Sequence, residues 1–285
     1  MRPLTLRPKA KANLAFGGAV VAVIALIPSI SPIASGDPTE PTQPRPCKLR
    51  PFRLRCPDLI MSAPSHLQFD RSTRPGRVLL RASSSINNRG GGPLELSGHR
   101  TGANEMAVYQ AIYDRGGRRH LFKTAAKLTF KYIPGDRYGI GNVGAASYWK
   151  LEHAAGFELW SIDAHRRALR MVRRGPKVDY CLRDLVHSRP SRRSPSTVVY
   201  PACSQNRSIT RDILGTSVGW SDAYPYEYPE QWIDVTGLRG RFAYVQIADP
   251  DERLMESNHH NDVSETYIAL PSGRVLGYRV GVSSP

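Results

Sequence analysis

The amino-acid sequence predicts an all-β fold, a single β-sandwich-like domain with long loops. Most apolar segments are short, and their residues alternate between apolar and polar, as they do in half-buried strands. Clusters of Gly, Pro, Asn and Asp separate these segments at short intervals. No long stretch of the chain has the 3.6-residue apolar period of a helix. Short strands separated by frequent turns are typical of a sandwich or barrel.

Each predicted strand has its own pattern. "RVLLRASSSIN" alternates and stops at the Asn/Gly turn of "NNRGGGPLEL", and "MAVYQAIYD" breaks at "RGG". "FELWSID" and "ALRMVRR" predict a hairpin closed by "AHRR". Further strands are predicted in "AKLTFKYI", "QWIDV", "RFAYVQIAD", "ETYIAL" and "RVLGYRV". The residues from Glu152 to Ala155 predict a helical turn.

The first 55 residues precede the predicted domain. Residues 1–36 combine a basic start, an apolar stretch over residues 14–27 and small residues before position 36. This pattern predicts a secretory signal, and the alternative is an uncleaved N-terminal anchor; both place the remaining chain outside the membrane. Residues 37–55 are rich in Pro and charge and predict a linker. The β domain is expected over residues 56–285.

The charge of the chain predicts anionic partners. Without residues 1–36 the sequence keeps 36 basic and 24 acidic residues, a net charge of +12. Cell-envelope polymers and acidic lipids fit such a surface, and export argues against nucleic acid. The basic residues are scattered, without an arginine/aromatic stripe, which favours solubility and general adhesion over a dedicated site.

The four cysteines predict two disulfides. An even number of cysteines in an exported chain favours disulfide pairing, and neither a CxxC motif nor a zinc-binding Cys/His spacing is present. Four cysteines permit three connectivities. We favour Cys47 with Cys56 and Cys181 with Cys203, because the partners are close in sequence and lie within one local unit.

Three segments carry a family resemblance. They are "YWKLEHAAGFELWSID" from residue 148, "GPKVDYCLRDL" from residue 175, and "GWSDAYPYEYPEQWIDVTGLRGRFAYVQIADP" from residue 219. The order of these segments and the residues in them resemble those of the lysyl oxidase family of copper-dependent amine oxidases. "CPDL" at residue 56 and "INNRGGGPLEL" at residue 86 agree with it, so the resemblance covers roughly residues 56 to 270.

The resemblance implies a cross-linked cofactor, lysyl tyrosylquinone, made from Lys177 and Tyr224. Lys177 matches the family lysine in Gly-x-Lys before an aromatic residue and Cys, and Tyr224 matches the tyrosine seven residues before "QW". A quinone supplies the electron sink that oxidation of a primary amine requires, and copper with oxygen makes it from the phenol. The implied substrates are protein lysine side chains or small primary amines.

The copper-binding motif of that family, His-x-His-x-His, is degraded in this chain. In one alignment Tyr148, Trp149 and Lys150 fall on the family's His-Trp-His. In the other, His153 takes the place of the last histidine, and Trp149 and Leu151 take the other two places. Neither leaves more than one imidazole, whereas Cu(II) prefers several nitrogen ligands. The motif therefore predicts that copper, and with it the quinone, is absent.

Two residue sets bear on that expectation. A rebuilt metal site would need His153 together with His259 or His260 of "MESNHHND". Alternatively, Lys150 supplies the positive charge of the metal and holds Tyr224 or a carboxylate by a hydrogen bond. The sequence thus leaves two functions: an exported amine oxidase, or a non-catalytic β-sandwich module that binds the cell envelope.

Overall fold

A computed structural model of the chain describes residues 46–49, 53–135 and 145–285. Residues 1–36, where the signal or anchor is predicted, lie outside these ranges, as does most of the predicted linker. Within the described ranges no helix is long and apolar enough to cross a membrane.

The described residues form sixteen strands, one short α-helix and one 3-10 helix. The helix α1 spans Pro46–Leu49 and the 3-10 helix spans His259–Asn261. The strands are β1 Leu54–Arg55, β2 Leu59–Met61, β3 Ser65–Asp70, β4 Leu79–Asn88, β5 Leu94–Arg100, β6 Glu105–Asp114, β7 Arg119–Ile133, β8 Ala146–Ile162, β9 Ala168–Arg174, β10 Val178–Tyr180, β11 Arg211–Thr216, β12 Ser221–Tyr224, β13 Ile233–Asp234, β14 Gly240–Ala248, β15 Val263–Leu270 and β16 Arg274–Val282. The all-β prediction is confirmed.

The strands form two antiparallel sheets. The larger has the order β11-β5-β6-β7-β8-β14-β15-β16, with β1 paired to β6 and both β9 and β10 paired to β8. In the smaller sheet β4 is central and pairs with β2, β3, β12 and β13. A long connection, residues 181–210, joins β10 to β11. The predicted hairpin is present, because β8 and β9 pair on either side of Asp163–Arg167.

The main hydrophobic core draws on both sheets. Leu80 and Ile86 of β4 belong to the same buried cluster as Leu128 of β7, Phe157 of β8 and Tyr244 of β14. Alternate residues of a strand point to opposite faces, so each sheet contributes one face to this core.

The strand β8 is continuous where the sequence predicted a helical turn. Residues 152–155 lie inside β8, so that prediction is wrong. The irregularity is a β-bulge: His153 has a φ of 55°, and the register with β10 shifts between Ala155 and Leu151. The His153 N–H donates to the Asp179 carboxylate at 2.8 Å, which satisfies the group that the bulge removes from the ladder.

Both predicted disulfide pairs are bonded in the structure. Cys47 is joined to Cys56, and Cys181 is joined to Cys203. Cys47 lies N-terminal to residue 56 and is buried in a small cluster with Ile112 and Met255. The end of the segment expected as linker therefore packs against the β domain.

Candidate functional site

A cluster of one lysine and three tyrosines lies between the two sheets. Lys150 comes from β8, Tyr180 from β10 and Tyr224 from the end of β12, and Tyr228 lies in the loop that follows β12. Because Trp149 and Lys150 are successive residues of one strand, they point to opposite faces. The Trp149 indole packs on Phe130, with ring centroids 5.3 Å apart.

The Lys150 side chain is fully enclosed by this cluster. The residue is 1 % exposed, while Tyr224 and Tyr228 are 7 % and 5 % exposed. The ammonium donates a hydrogen bond to the Tyr228 hydroxyl. It also lies 4.7 Å from the centroid of the Tyr224 ring and 4.6 Å from that of Tyr228, a double cation–π contact.

Buried charges surround the ammonium. Burial lowers the pKa of Lys150 to about 8, against the opposing attraction of Asp222, Glu230 and Asp179. Asp222 is itself fully buried, and burial raises its pKa to about 7, against the opposing charges of Arg183 and Lys150. One Asp222 carboxylate oxygen accepts from the Leu182 N–H at 3.0 Å, and the other is buried 3.7 Å from Arg183 Nε.

Tyr224 is held as a neutral phenol. Its hydroxyl accepts a hydrogen bond from the Cys181 N–H at 3.0 Å, beside the disulfide, and its ring stacks on Tyr180 with centroids 4.1 Å apart. Burial, reinforced by the negative charge of Asp222, raises the pKa of Tyr224 well above its usual value.

Lys177, the other residue of the predicted cross-link, has a different partner. Its ammonium donates to the Asp251 carboxylate, 74 residues away in the sequence. Asp251 also lies 3.4 Å from His153 Nδ1 and 3.3 Å from Arg253 Nη2. Burial acts to raise the pKa of Asp251, but the Lys177 hydrogen bond and the neighbouring cations outweigh it and lower that pKa.

The structure thus brings His153 and Lys177 together at Asp251. Both side chains are partly exposed, at 37 % and 31 %. Tyr224 belongs to the buried tyrosine cluster instead. The predicted Lys177–Tyr224 cross-link stays a prediction.

The other two histidines of the predicted metal set lie in the 3-10 helix before β15. His260 is exposed. His259 contacts Glu256 at 3.2 Å and Asp262 at 3.4 Å, and these carboxylates, against the effect of burial, raise its pKa to about 10. Ligand atoms of Asp249, Glu256 and His259 lie within 4.8 Å of one another. This group offers one imidazole and two carboxylates.

The residues at the positions expected for copper ligands do not fit that metal. In the first alignment the ligand positions fall on Tyr148 and Lys150. Lys150, when protonated, has no lone pair, and its charge would repel a metal ion. In the second, Trp149 takes a ligand position, but it has only an indole N–H, which donates to the Asn206 carbonyl at 3.1 Å. His153, also of the second alignment, faces Asp251. Cu(II) prefers several nitrogen lone pairs in tetragonal geometry, and neither alignment supplies them.

Sequence reasoning missed three residues of these clusters. Tyr228 accepts the hydrogen bond from Lys150, and Asp222 is the carboxylate with the largest electrostatic effect on the pKa of Lys150. Asp251 contacts both His153 and Lys177. The one available signal was the density of tyrosines in "SDAYPYEYPEQW".

Comparison with known proteins agrees with the family resemblance over part of the chain. Residues 143–277 match the family model of lysyl oxidase. Lys150, Lys177 and Tyr224 lie within this match. No curated protein matches the chain.

Proposed function

We propose that this chain is an exported lysyl-oxidase-like protein that does not carry out copper-dependent amine oxidation, because Lys150 takes the place of the metal. The family assignment is supported by the match over residues 143–277 and by the three segments described above. Export is supported by the pattern of residues 1–36 and by the two disulfides. The observation that carries the proposal is the buried ammonium against Tyr224 and Tyr228.

The charge of Lys150 acts in two ways. Together with Arg183, whose Nε lies 3.7 Å from Asp222, it offsets the buried carboxylate of Asp222 in a low-dielectric core. The ammonium also lies beside the two phenol rings, whose centroids are 4.3 Å apart, and donates a hydrogen bond to the Tyr228 hydroxyl. A side chain that already occupies this space and carries positive charge opposes the entry of a metal cation.

The protonation state of Tyr224 also supports the absence of quinone formation. Conversion of a phenol to a quinone proceeds from the deprotonated ring next to a metal that activates oxygen. Burial and the charge of Asp222 hold the pKa of Tyr224 high, so the ring stays a phenol at neutral pH. Lys177 forms a surface ion pair with Asp251. Tyr224 then has a structural role as an aromatic residue of the core, and Lys177 has one as a surface cation.

The test is to express the protein with copper present and to measure bound copper, peptide mass and amine-dependent peroxide formation. The wild type should retain no stoichiometric copper and no cross-linked peptide pair containing Lys177 and Tyr224. The double variant Tyr148→His/Lys150→His restores two imidazoles of the first alignment and should bind copper more tightly. Lys150→Met is the matched control, because it removes the charge without adding a ligand.

Two outcomes would overturn the proposal. One is near-stoichiometric copper in the wild type together with a cross-linked 177–224 pair, which would restore the amine oxidase function. The other is copper retention by Lys150→Met equal to that of the double histidine variant. In that case the metal would bind elsewhere, and the residue at position 150 would not decide it.

A further inference from the structure

Two neighbouring clefts lie where several loops of the domain meet. The larger has a volume of about 910 Å³ and the smaller about 450 Å³, and both are lined by Arg192, Arg193 and Val218. Among the described residues, no acidic side chain lines either cleft. Six arginines do, and they are Arg55, Arg89, Arg115, Arg189, Arg192 and Arg193.

These arginines come from four parts of the sequence, which the fold brings together. Arg55 ends β1, Arg89 follows β4 and Arg115 follows β6, while the other three lie in the connection 181–210. All six are exposed. The sequence analysis favoured scattered surface charge, and the structure instead places these guanidinium groups around one pair of clefts.

The loops that carry the arginines are tied together by backbone contacts. The Gly91 and Gly92 N–H groups donate to the Cys56 carbonyl at 2.8 and 3.1 Å, next to the Cys47–Cys56 disulfide. The Arg189 N–H donates to the Gly219 carbonyl at 2.9 Å, and the Gly219 N–H to the Asn88 carbonyl at 2.8 Å. A binding surface on loops fixed in this way needs little ordering when a ligand arrives.

Gly219 shows how closely these loops approach each other. Its φ is +78°, a conformation that favours glycine. A Cβ atom at this position would lie 2.2 Å from Ser194 Oγ and 2.3 Å from the Arg189 carbonyl oxygen. The wall of the smaller cleft therefore depends on a residue without a side chain.

The cationic charge of the clefts has no close carboxylate partner in the part of the chain that the structure describes. Among the described residues, none of the six arginines forms an ion pair within 4.0 Å of a carboxylate. Burial lowers the pKa of Arg89, and repulsion from Arg189 lowers it further, against attraction by Asp58. Like charges held together raise the energy of the folded protein, and a bound anion lowers it again.

We propose that the two clefts form a binding site for a flexible single-chain polyanion, a polymer with repeated phosphate or carboxylate groups. Guanidinium groups bind both oxyanions through paired N–H donors. Six cations along two adjoining clefts match several anionic groups in a row rather than one small ion. This site is separate from the Lys150 cluster, so it does not depend on the proposed loss of copper chemistry.

The proposal is tested by measuring the affinity of the purified protein for a labelled poly(glycerol phosphate) chain at several salt concentrations. Polygalacturonate replaces it in a second series, which identifies the preferred oxyanion. Arg192→Gln/Arg193→Gln removes the two arginines shared by both clefts. The control Arg170→Gln/Arg173→Gln removes two exposed arginines of β9 that line neither cleft.

The cleft variant should bind at least one of the two polymers about tenfold more weakly than the wild type. The slope of log affinity against log salt concentration should shrink by about 1 to 2, because fewer counterions are released. The control variant should have the affinity and the salt slope of the wild type. Melting temperatures equal to that of the wild type would show that both variants fold.

Three results would overturn the proposal. Equal losses of affinity in the cleft variant and the control variant would mean that the net charge of the protein, and not the clefts, determines polymer binding. Inorganic phosphate that displaces the polymer at equal concentration of phosphate groups would indicate a site for a single ion. Duplex DNA that binds as tightly as the flexible chains would assign the clefts to a nucleic acid.

Discussion

The buried ammonium of Lys150 predicts a specific pH dependence of stability. Its pKa is about 8 in the folded protein, against 10.5 for an ordinary exposed lysine. Below pH 8 the lysine is protonated in both folded and unfolded chains. Between pH 8 and 10.5 only the unfolded chain holds the proton, so the free energy of unfolding rises with pH. At roughly 1.4 kcal/mol per pKa unit, Lys150 contributes a rise of about 3 kcal/mol.

The difference between the wild type and Lys150→Met contains this contribution and a change of the same sign from Asp222, whose pKa rises further when the neighbouring ammonium is removed. His259, with its pKa raised to about 10, loses stabilising effect over the same pH range, but it does so in both proteins and cancels. Urea unfolding from pH 7.5 to pH 10 should show the wild type gaining about 2 to 3 kcal/mol relative to the variant. Lys127→Met, at an exposed lysine of β7, is the control and should show a smaller change. A difference for Lys150→Met that stays constant across this range would refute the buried ammonium.

Two further substitutions test the site and the clefts. Tyr228→Phe removes the hydrogen-bond acceptor of the Lys150 ammonium, so unfolding in urea at pH 7 should show a loss of about 1 to 3 kcal/mol; an unchanged midpoint would contradict the contact. Gly219→Ala should lower the melting temperature and weaken polyanion binding, since the new Cβ would meet Ser194. Gly76→Ala is its control, because Gly76 has a similar φ of +73° but open space around it, and an equal effect of both would assign the loss to backbone strain alone.

The sequence was informative where a signal is local. Alternation in "RFAYVQIAD" predicted β14, and short spacing predicted the Cys181–Cys203 pair. It was less informative where a contact joins distant residues. Lys150 and Tyr228 are 78 residues apart, and His153 is 98 residues from Asp251. The first pair depends on how the two sheets pack, and the second depends on the pairing of β8 with β14; no local pattern records either.

The bulge also explains why the sequence-based prediction of a helical turn at residues 152–155 was wrong. Glu152 to Ala155 breaks the alternation of β8, and a broken alternation in a short segment is equally compatible with a turn of helix. The surrounding strands decide between them, because β7 pairs with residues before the bulge and β14 with residues after it. The arginine clefts were missed for a similar reason, since their members lie in four different parts of the chain.

The bulge at His153 divides β8 into two parts that pair with different long strands. Residues 146–151 are in register with β7, whereas residues 155–162 are in register with β14 and β9. A shift or substitution in the first part is absorbed at the bulge, where the ladder is already interrupted. The candidate ligand positions Tyr148 and Lys150 lie in that first part. The side chains at these two positions are therefore set by contacts other than the pairing that holds the hairpin of β8 and β9.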